Sequence, residues 1–295
     1  MVGLTLVGSL TSRVIADAMS LCRRKFPHTV RVETTNHCQA ACTFCPRDSI
    51  GRPKEFMRQE LFEKIVRECA AGGCRLMHLH GFGEPLLDKQ LPQRIKLCKE
   101  SGIARVKIFT NGGLLRGETA ERLIESGVDE IKVSIDGADA AEFNQLRVGL
   151  DYGKVLENMK AFRALRDQAG RKKPVFVAAT CQTSNRRRTE EMLEGVVDRI
   201  DFTHIHNWAG ALGRFTQQRI RKPCDRLWRT FTVLVNGDVS LCCLDYSGQE
   251  VLGNVAKEPI GEIWNNARYR ELRRLHRDSR QEAIPLCKNC SKCFF

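Results

Sequence analysis

Thr35-Asn36-His37-Cys38-Gln39-Ala40-Ala41-Cys42-Thr43-Phe44-Cys45-Pro46 follows a strand-like run at residues 28–34 and places three cysteines in one short loop. Thiolate sulfur is a soft ligand that selects zinc or iron–sulfur clusters. Three thiolates hold three irons of a four-iron cluster and leave the fourth iron open. Zinc asks for a fourth protein ligand nearby. His37 offers one, but it sits directly beside Cys38, where chelation is awkward. From the loop alone, a zinc knuckle remains open.

The surrounding composition narrows the class. The chain has 295 residues, 42% of them apolar and 28% charged, enough for one large domain or one domain with an appendage. No apolar run reaches the ~20 residues that span a bilayer. The N-terminal stretch lacks a basic n-region and a cleavage site, so residues 12–24 read as an amphipathic helix packed on the body, with no signal peptide. Fourteen cysteines cluster at ligand-like spacing near both ends, which points to metal in a reducing cytoplasm rather than to disulfides. Cys22, Cys69, Cys74 and Cys98 read as small buried hydrophobes. The net charge of +13 favours an acidic electron donor or a phosphorylated substrate. No compact nucleic-acid motif accompanies it; Arg186-Arg187-Arg188 reads as a solvated helix start, and residues 268–280 as the outer face of a helix.

Beyond the cysteine loop, short apolar runs alternate with amphipathic stretches. Strands are expected at residues 76–82, 105–111, 130–136, 174–181 and 202–208, and helices at 58–71, 89–101, 117–126, 152–169 and 189–200. With residues 30–34 this makes six βα-type units, an α/β chain with a parallel sheet. Functional residues then belong at the C-terminal strand ends.

Unusual residues fall there. His80-Gly81-Phe82-Gly83-Glu84-Pro85 follows strand two; its glycines permit close backbone approach and Glu84 offers an acceptor for an ammonium, though a plain Gly-Pro turn would look similar. Strand three ends in Thr110-Asn111-Gly112 and strand four in Ser134-Ile135-Asp136-Gly137. Strand alternation sets Ser134 and Asp136 on one face, suited to ribose or substrate hydroxyls. Arg147 brings a guanidinium fork suited to a carboxylate. Cys181 closes strand five, where a thiol either packs or reacts. His204 and His206 share a face of strand six.

The spacing C-x3-C-x2-C of Cys38, Cys42 and Cys45 resembles the signature of the radical S-adenosylmethionine (radical SAM) superfamily. The resemblance implies a partial (β/α)6 barrel and a [4Fe–4S] cluster whose open iron binds S-adenosyl-L-methionine and cleaves it to a 5′-deoxyadenosyl radical. It further implies that Phe44 lies by the adenine, that Gly81, Gly83 and Glu84 serve the methionine amino group, and that Arg147 pairs with its carboxylate. Ser134, Asn111 and Asp136 are further cofactor candidates by the same resemblance.

After residue 215 the alternation stops. Cys224 precedes a hairpin with Asn236-Gly237 as its turn, which ends in Cys242-Cys243. Gly253-Asn254, a helix over residues 260–277 containing Trp264, and Cys287-Lys288-Asn289-Cys290-Ser291-Lys292-Cys293 follow. This order resembles the SPASM/twitch appendage, a small C-terminal β-hairpin/helix iron–sulfur domain. It implies an auxiliary [4Fe–4S] cluster on Cys224, Cys242, Cys287 and Cys290; Cys243 and Cys293 are left over, either able to replace a neighbour as ligand. The expected division is an N-terminal helical extension (1–29), the barrel (30–215) and the auxiliary domain (216–295).

The layout resembles aminocyclitol dehydrogenases of the butirosin type and aminoglycoside epimerases. The resemblance implies a cytoplasmic oxidoreductase that takes a hydrogen atom from a sugar or aminocyclitol carbon, passes an electron to the auxiliary cluster, and draws electrons from an acidic flavodoxin or ferredoxin. Epimerisation, with Cys181 or Cys243 as hydrogen-atom donor, is the second reading. Modification of a ribosomal peptide is the third; the 29 residues before the first strand are too few for the peptide-binding domain such enzymes often carry. A non-catalytic iron–sulfur carrier or zinc-stapled binding module would leave Gly83-Glu84 and Ser134-x-Asp136 unexplained.

Overall fold

The computed structural model describes residues 2–213 and 221–292, with side chains from residue 10 onward. After helix α1 (Val2–Leu21) the elements alternate: β1 (Thr29–Val32), α2 (Gln59–Ala71), β2 (Leu76–His78), α3 (Leu91–Glu100), β3 (Arg105–Thr110), α4 (Gly117–Glu125), β4 (Glu130–Ser134), α5 (Ala140–Leu146), α6 (Tyr152–Gln168), β5 (Val175–Thr180), α7 (Arg186–Leu193) and β6 (Arg199–Phe202). β1 to β6 are parallel neighbours in sequence order, which requires a crossover between each pair.

The strands follow a two-residue alternation because their faces meet different surroundings. Val30, Val32, Met77, Leu79, Val106, Ile108, Ile131, Val133, Phe176 and Ala178 are buried in the apolar core. Helices supply the other half of that core: α2 contributes Leu61, Phe62, Ile65, Val66 and Cys69, and α4 contributes Ala120, Leu123 and Ile124.

The alternate positions carry polar side chains. The register aligns Arg31 with His78, His78 with Lys107, and Lys107 with Glu130. Glu130 accepts from Lys107 at 3.0 Å and Arg105 at 3.3 Å, while Lys132 pairs with Asp201. His78 stacks on His80 at 5.2 Å, and Arg31 Nη1 lies 3.4 Å from His80 Nε2. Burial, then the neighbouring cations, push His78 down to about 2, so it is neutral.

The sheet continues past β1 into the C-terminal region. β7 (Thr230–Val233) runs parallel to β1, and β8 (Asp238–Ser240) and β9 (Val251–Asn254) add antiparallel, giving the order β6-β5-β4-β3-β2-β1-β7-β8-β9. A short helix α8 (Arg226–Arg229) precedes β7. The expected hairpin is present, with Gly237 at φ +91° in its turn, and β9 is a third strand that the hairpin signal did not show. The expected boundary at 215/216 falls outside the described residues.

Several expectations need correction. The single helix over 260–277 is two, α9 (Ile260–Trp264) and α10 (Ala267–Arg277), because the Asn266 side chain accepts from Tyr269 N at 2.9 Å and starts a new helix. A last short helix is α11 (Pro285–Lys288). Arg273 is not on an outer face: it is buried with its guanidinium 4.4 Å from the Trp264 ring centre and donates to Leu227 O and Trp264 O. Strand six ends at Phe202, so His204 and His206 lie beyond it in a loop and do not share a strand face. Cys69, Cys74 and Cys98 are buried as expected, whereas Cys22 is exposed. α1 docks on the C-terminal region through Ser12 Oγ to Arg221 O (3.1 Å) and Trp228 Nε1 to Ser20 Oγ (2.9 Å). Among the described residues no helix is long and apolar enough to cross a membrane.

Candidate active site

The cysteine loop leaves β1 and is pinned at many points. The Asn36 side chain bridges Pro53 O and Glu55 N, both at 2.7 Å. Arg47 Nη1 donates to Cys38 O at 2.6 Å. Ala41 N donates to Val148 O at 2.7 Å, and Thr43 N to Leu146 O at 3.0 Å. The glycine after Phe82 has a mechanical reason: a Cβ on Gly83 would stand 2.6 Å from His37 O and 2.8 Å from Asn36 Cα. Strand two's loop therefore lies flat on the cysteine loop, and Glu84 N donates to His37 O at 2.8 Å.

Cys38, Cys42 and Cys45 face one another closely enough for their charges to interact. Burial raises the Cys38 thiol and pushes Cys45 up to about 11, and the neighbouring thiolates add to both. Such a set resists charging until a cationic partner arrives, and iron supplies that charge. The donor set thus fits an iron–sulfur cluster. Among the described residues no group of three or more His, Cys, Asp or Glu is gathered around a single-ion position.

Glu84 is buried, and its carboxylate accepts from Thr110 Oγ1 (2.6 Å), Asn111 N (2.7 Å) and Leu86 N (3.1 Å). It ties strand three's end to strand two's end. Burial pushes its pKa up to about 7, against the pull of those donors. The sign of the linkage follows: with the folded value above the unfolded one, the stabilising term is present below about pH 4.5 and is lost as the pH rises toward about 7. We expect apoprotein stability in urea to fall over that window by up to about 3 kcal/mol from this group, and Glu84→Gln to flatten the slope.

Asn111 stands between the loops. Gln39 Nε2 donates to its Oδ1 at 3.1 Å, and its Nδ2 lies 3.9 Å from Cys38 Sγ. Ser134 is half-buried at the end of β4. Asp136 is fully buried: Oδ2 takes Arg147 Nε at 2.8 Å and Nη2 at 2.5 Å, and Oδ1 takes Cys181 N at 2.7 Å and Gln182 N at 2.9 Å. Arg147 in turn puts Nη1 3.7 Å from Cys42 Sγ and its guanidinium carbon 5.3 Å from the Phe44 ring centre. Cys181 thus joins this cluster; burial, then Asp136, push its thiol up to about 12.

The second cysteine set lies in the C-terminal region. Cys224, Cys242, Cys287 and Cys290 line one small cavity with Arg226 and His276, whereas Cys243 does not line it. Burial and mutual charge push Cys242 up to about 12 and raise Cys287. These four also fit a cluster. Cys293 lies outside the described residues.

A loop that the sequence reading treated as strand links the two cysteine sets. Trp208 Nε1 donates to Phe44 O at 2.6 Å, between Cys42 and Cys45. Its neighbour Asn207 donates to Asn289 O at 2.6 Å and accepts from Ser291 N at 3.0 Å, flanking Cys290. Trp208 and Ala209 hold φ of +47° and +58°, a conformation that non-glycine residues rarely keep without support. The indole packs 5.5 Å from Phe82, and Phe82 lies 6.2 Å from Tyr246. Arg52 adds a second tie, donating to Glu33 at 2.9 Å and Tyr246 O at 3.1 Å. Trp208→Ala is expected to weaken S-adenosylmethionine binding about tenfold, as one buried hydrogen bond and its packing amount to about 1.4 kcal/mol or more; calorimetry on the reconstituted protein checks it. None of Arg52, Asn207, Trp208, Arg226 and His276 carries a spacing signal, since each gains its role only through the tertiary fold.

Comparison with known proteins bears on both regions. The family model of the Radical SAM superfamily matches residues 32–177, and that of the SPASM iron–sulfur cluster-binding domain matches 224–291. The S-adenosyl-L-methionine-dependent 2-deoxy-scyllo-inosamine dehydrogenase of Niallia circulans is 24% identical over 270 residues, 89% of this chain and 92% of that one. The crystal structure of BtrN with AdoMet and 2-DOIA superposes with a TM-score of 0.65 at 21% identity, covering 91% of this chain and 94% of that one. Streptococcus suis SuiB bound to the precursor peptide SuiA gives 0.71 at 15% identity, covering 88% and 69%.

Proposed function

The chain belongs to the radical SAM superfamily as an oxidoreductase with a C-terminal SPASM iron–sulfur domain, and on that premise we propose that it dehydrogenates a secondary alcohol carbon of a small polyhydroxylated substrate, a sugar or aminocyclitol. The polar face of the sheet carries this reading. Arg31, Glu33, His78, His80, Lys107, Lys132 and Ser134 occupy alternate positions along β1 to β4 and just beyond their ends, a surface suited to hydroxyl groups and unsuited to an apolar ligand. The 92% coverage of the Niallia circulans dehydrogenase supports the same substrate class.

Cys38, Cys42 and Cys45 would hold the first cluster, and Cys224, Cys242, Cys287 and Cys290 the second. When bound, the first cluster with S-adenosyl-L-methionine supplies a radical able to take a hydrogen atom from carbon, and the second supplies an electron acceptor. The chain's own residues position and move protons. Phe44, Gly81, Gly83, Glu84, Asn111, Ser134 and Arg147 would hold the cofactor, with Asp136 acting through Arg147. Glu33, whose burial, partly offset by Arg52, pushes its pKa up to about 7, is the carboxylate tuned to take the hydroxyl proton. An acidic flavodoxin or ferredoxin suits the +13 net charge as electron donor.

Anaerobic incubation with carbon-deuterated polyols tests the proposal. Deuterium should appear in 5′-deoxyadenosine and the product should be a ketone. Transfer with a peptide alone would overturn it.

A specific observation favours epimerisation as the second reading. Cys181 stands one residue past the end of β5 with its N–H on Asp136, beside the Arg147 cluster, and its buried thiol keeps the S–H that a hydrogen-atom donor requires. Solvent deuterium in an unoxidised product, lost in Cys181→Ala, would replace dehydrogenation by epimerisation.

A further inference from the structure

The cavity walled by Cys224, Cys242, Cys287 and Cys290 contains two side chains that the sequence reading did not assign. Arg226 sits at the start of α8, two residues after Cys224. Its Nη1 is buried and finds no hydrogen-bond acceptor among the described residues. No carboxylate pairs with it among the described ion pairs, unlike Arg52, Arg94, Arg147 and Arg166. A buried guanidinium N–H lacking a protein acceptor is costly unless something else accepts from it.

His276, on α10, is fully buried and lines the same cavity. Its Nδ1 accepts from Cys224 N at 3.2 Å. That contact assigns the proton of the neutral ring to Nε2. Nε2 is buried and again has no acceptor among the described residues. The two donors share a wall with four sulfur ligands.

We propose that Arg226 and His276 donate hydrogen bonds to the sulfur of the auxiliary cluster and set its reduction potential, Arg226 contributing most. This rests on the proposed two-cluster reading. The physical reason is differential. A four-thiolate [4Fe–4S] centre gains one negative charge when it takes up one electron, so a fixed positive charge and hydrogen bonds to sulfur stabilise the reduced form more. The potential rises, and the cluster becomes a better acceptor for the electron left on the substrate carbon. His276 also positions Cys224 by holding its backbone N–H.

The test uses the full chain with Cys38, Cys42 and Cys45 replaced by Ala, so that only the auxiliary cluster can assemble. Its potential is read by anaerobic redox titration followed by electron paramagnetic resonance. Arg226→Met should lower the one-electron reduction constant about tenfold, about 59 mV. Arg226→Lys, which keeps the charge, should restore much of it. His276→Phe should lower it by a smaller factor, and His276→Gln, which keeps an N–H, should restore part of it. If Arg226→Met or His276→Phe fails to assemble a cluster, the potential of the matching Lys or Gln variant decides, and it should still lie measurably below the parent value. Unchanged potentials in all four variants, with the cluster intact, would overturn this proposal and leave the two-cluster reading standing. Absence of any cluster in the parent triple variant, with Cys224 to Cys290 intact, would overturn both.

Discussion

Asp136→Ala is expected to destabilise the apoprotein by about 3–5 kcal/mol, the usual cost of removing one partner from a buried ion pair. Asp136 is fully buried and Arg147 nearly so. Truncation would leave the guanidinium without its carboxylate and would orphan the backbone N–H groups of Cys181 and Gln182. Arg147→Ala should cost less, since Asp136 would keep those two donors. The double variant should cost less than the two single costs added, because the pair couples. Urea denaturation of reduced apoprotein without S-adenosylmethionine measures all three. The experiment separates two roles for one carboxylate. As a ribose ligand alone, Asp136 could be removed with a change in apoprotein stability within about 0.5 kcal/mol, typical of a surface site. As a pin joining β4, β5 and the helix that ends at Arg147, it cannot. Arg147 carries the consequence to the cysteine loop through Cys42 Sγ and the Phe44 ring. Cluster assembly in Asp136→Ala should therefore be impaired beyond the loss of folded protein.

Legibility followed the range of the interactions. The βα alternation was readable because a two-residue period and a helical period are local, and each strand of β1 to β5 begins within a few residues of expectation. The cysteine sets stood out because metal-binding motifs fix the spacing of their ligands in the chain. Strand six was misplaced: Thr203 to Trp208 alternates like a strand, but the chain leaves the sheet at Phe202 and Trp208 takes a positive φ to reach Phe44 O. Tertiary hydrogen bonds overrode the local pattern there. Arg273 was misread for a related reason. One arginine in a basic helix has nothing in sequence to show that Trp264 and Tyr269 fold beneath it. Asp136 lies two residues past the end of β4, and its partners lie 11 and 45 residues away, so its engagement with Arg147 and the Cys181 amide was beyond any pattern.

The two cysteine sets should separate under mutation, and this is the largest functional effect expected. Replacing Cys38, Cys42 and Cys45 by Ala removes all three thiolates of the β1 loop, so cleavage of S-adenosylmethionine should fall below detection and about half the iron should be lost. Cys287→Ala should behave differently. The cavity would keep Cys224, Cys242 and Cys290, and the β1 loop would keep its own ties to Val148, Leu146 and Arg47. Substrate-dependent cleavage should persist within about tenfold, a change of about 1.4 kcal/mol, while oxidised product should fall at least about a thousandfold, about 4 kcal/mol. The reason is electron balance. Taking a hydrogen atom leaves a substrate radical, and forming a ketone still requires loss of one proton and one electron. Without the second acceptor the radical must find another route, including return of the hydrogen atom. Parallel assays of 5′-deoxyadenosine and ketone in one reaction measure the ratio. The residual cleavage also has a structural reporter, because Asn207 grips Asn289 and Ser291 on either side of Cys290 while Trp208 grips Phe44. If Cys287→Ala abolished cleavage outright, the Trp208 loop would be transmitting the damage. Equal yields of product and 5′-deoxyadenosine in Cys287→Ala would instead remove the auxiliary cysteines from the electron path.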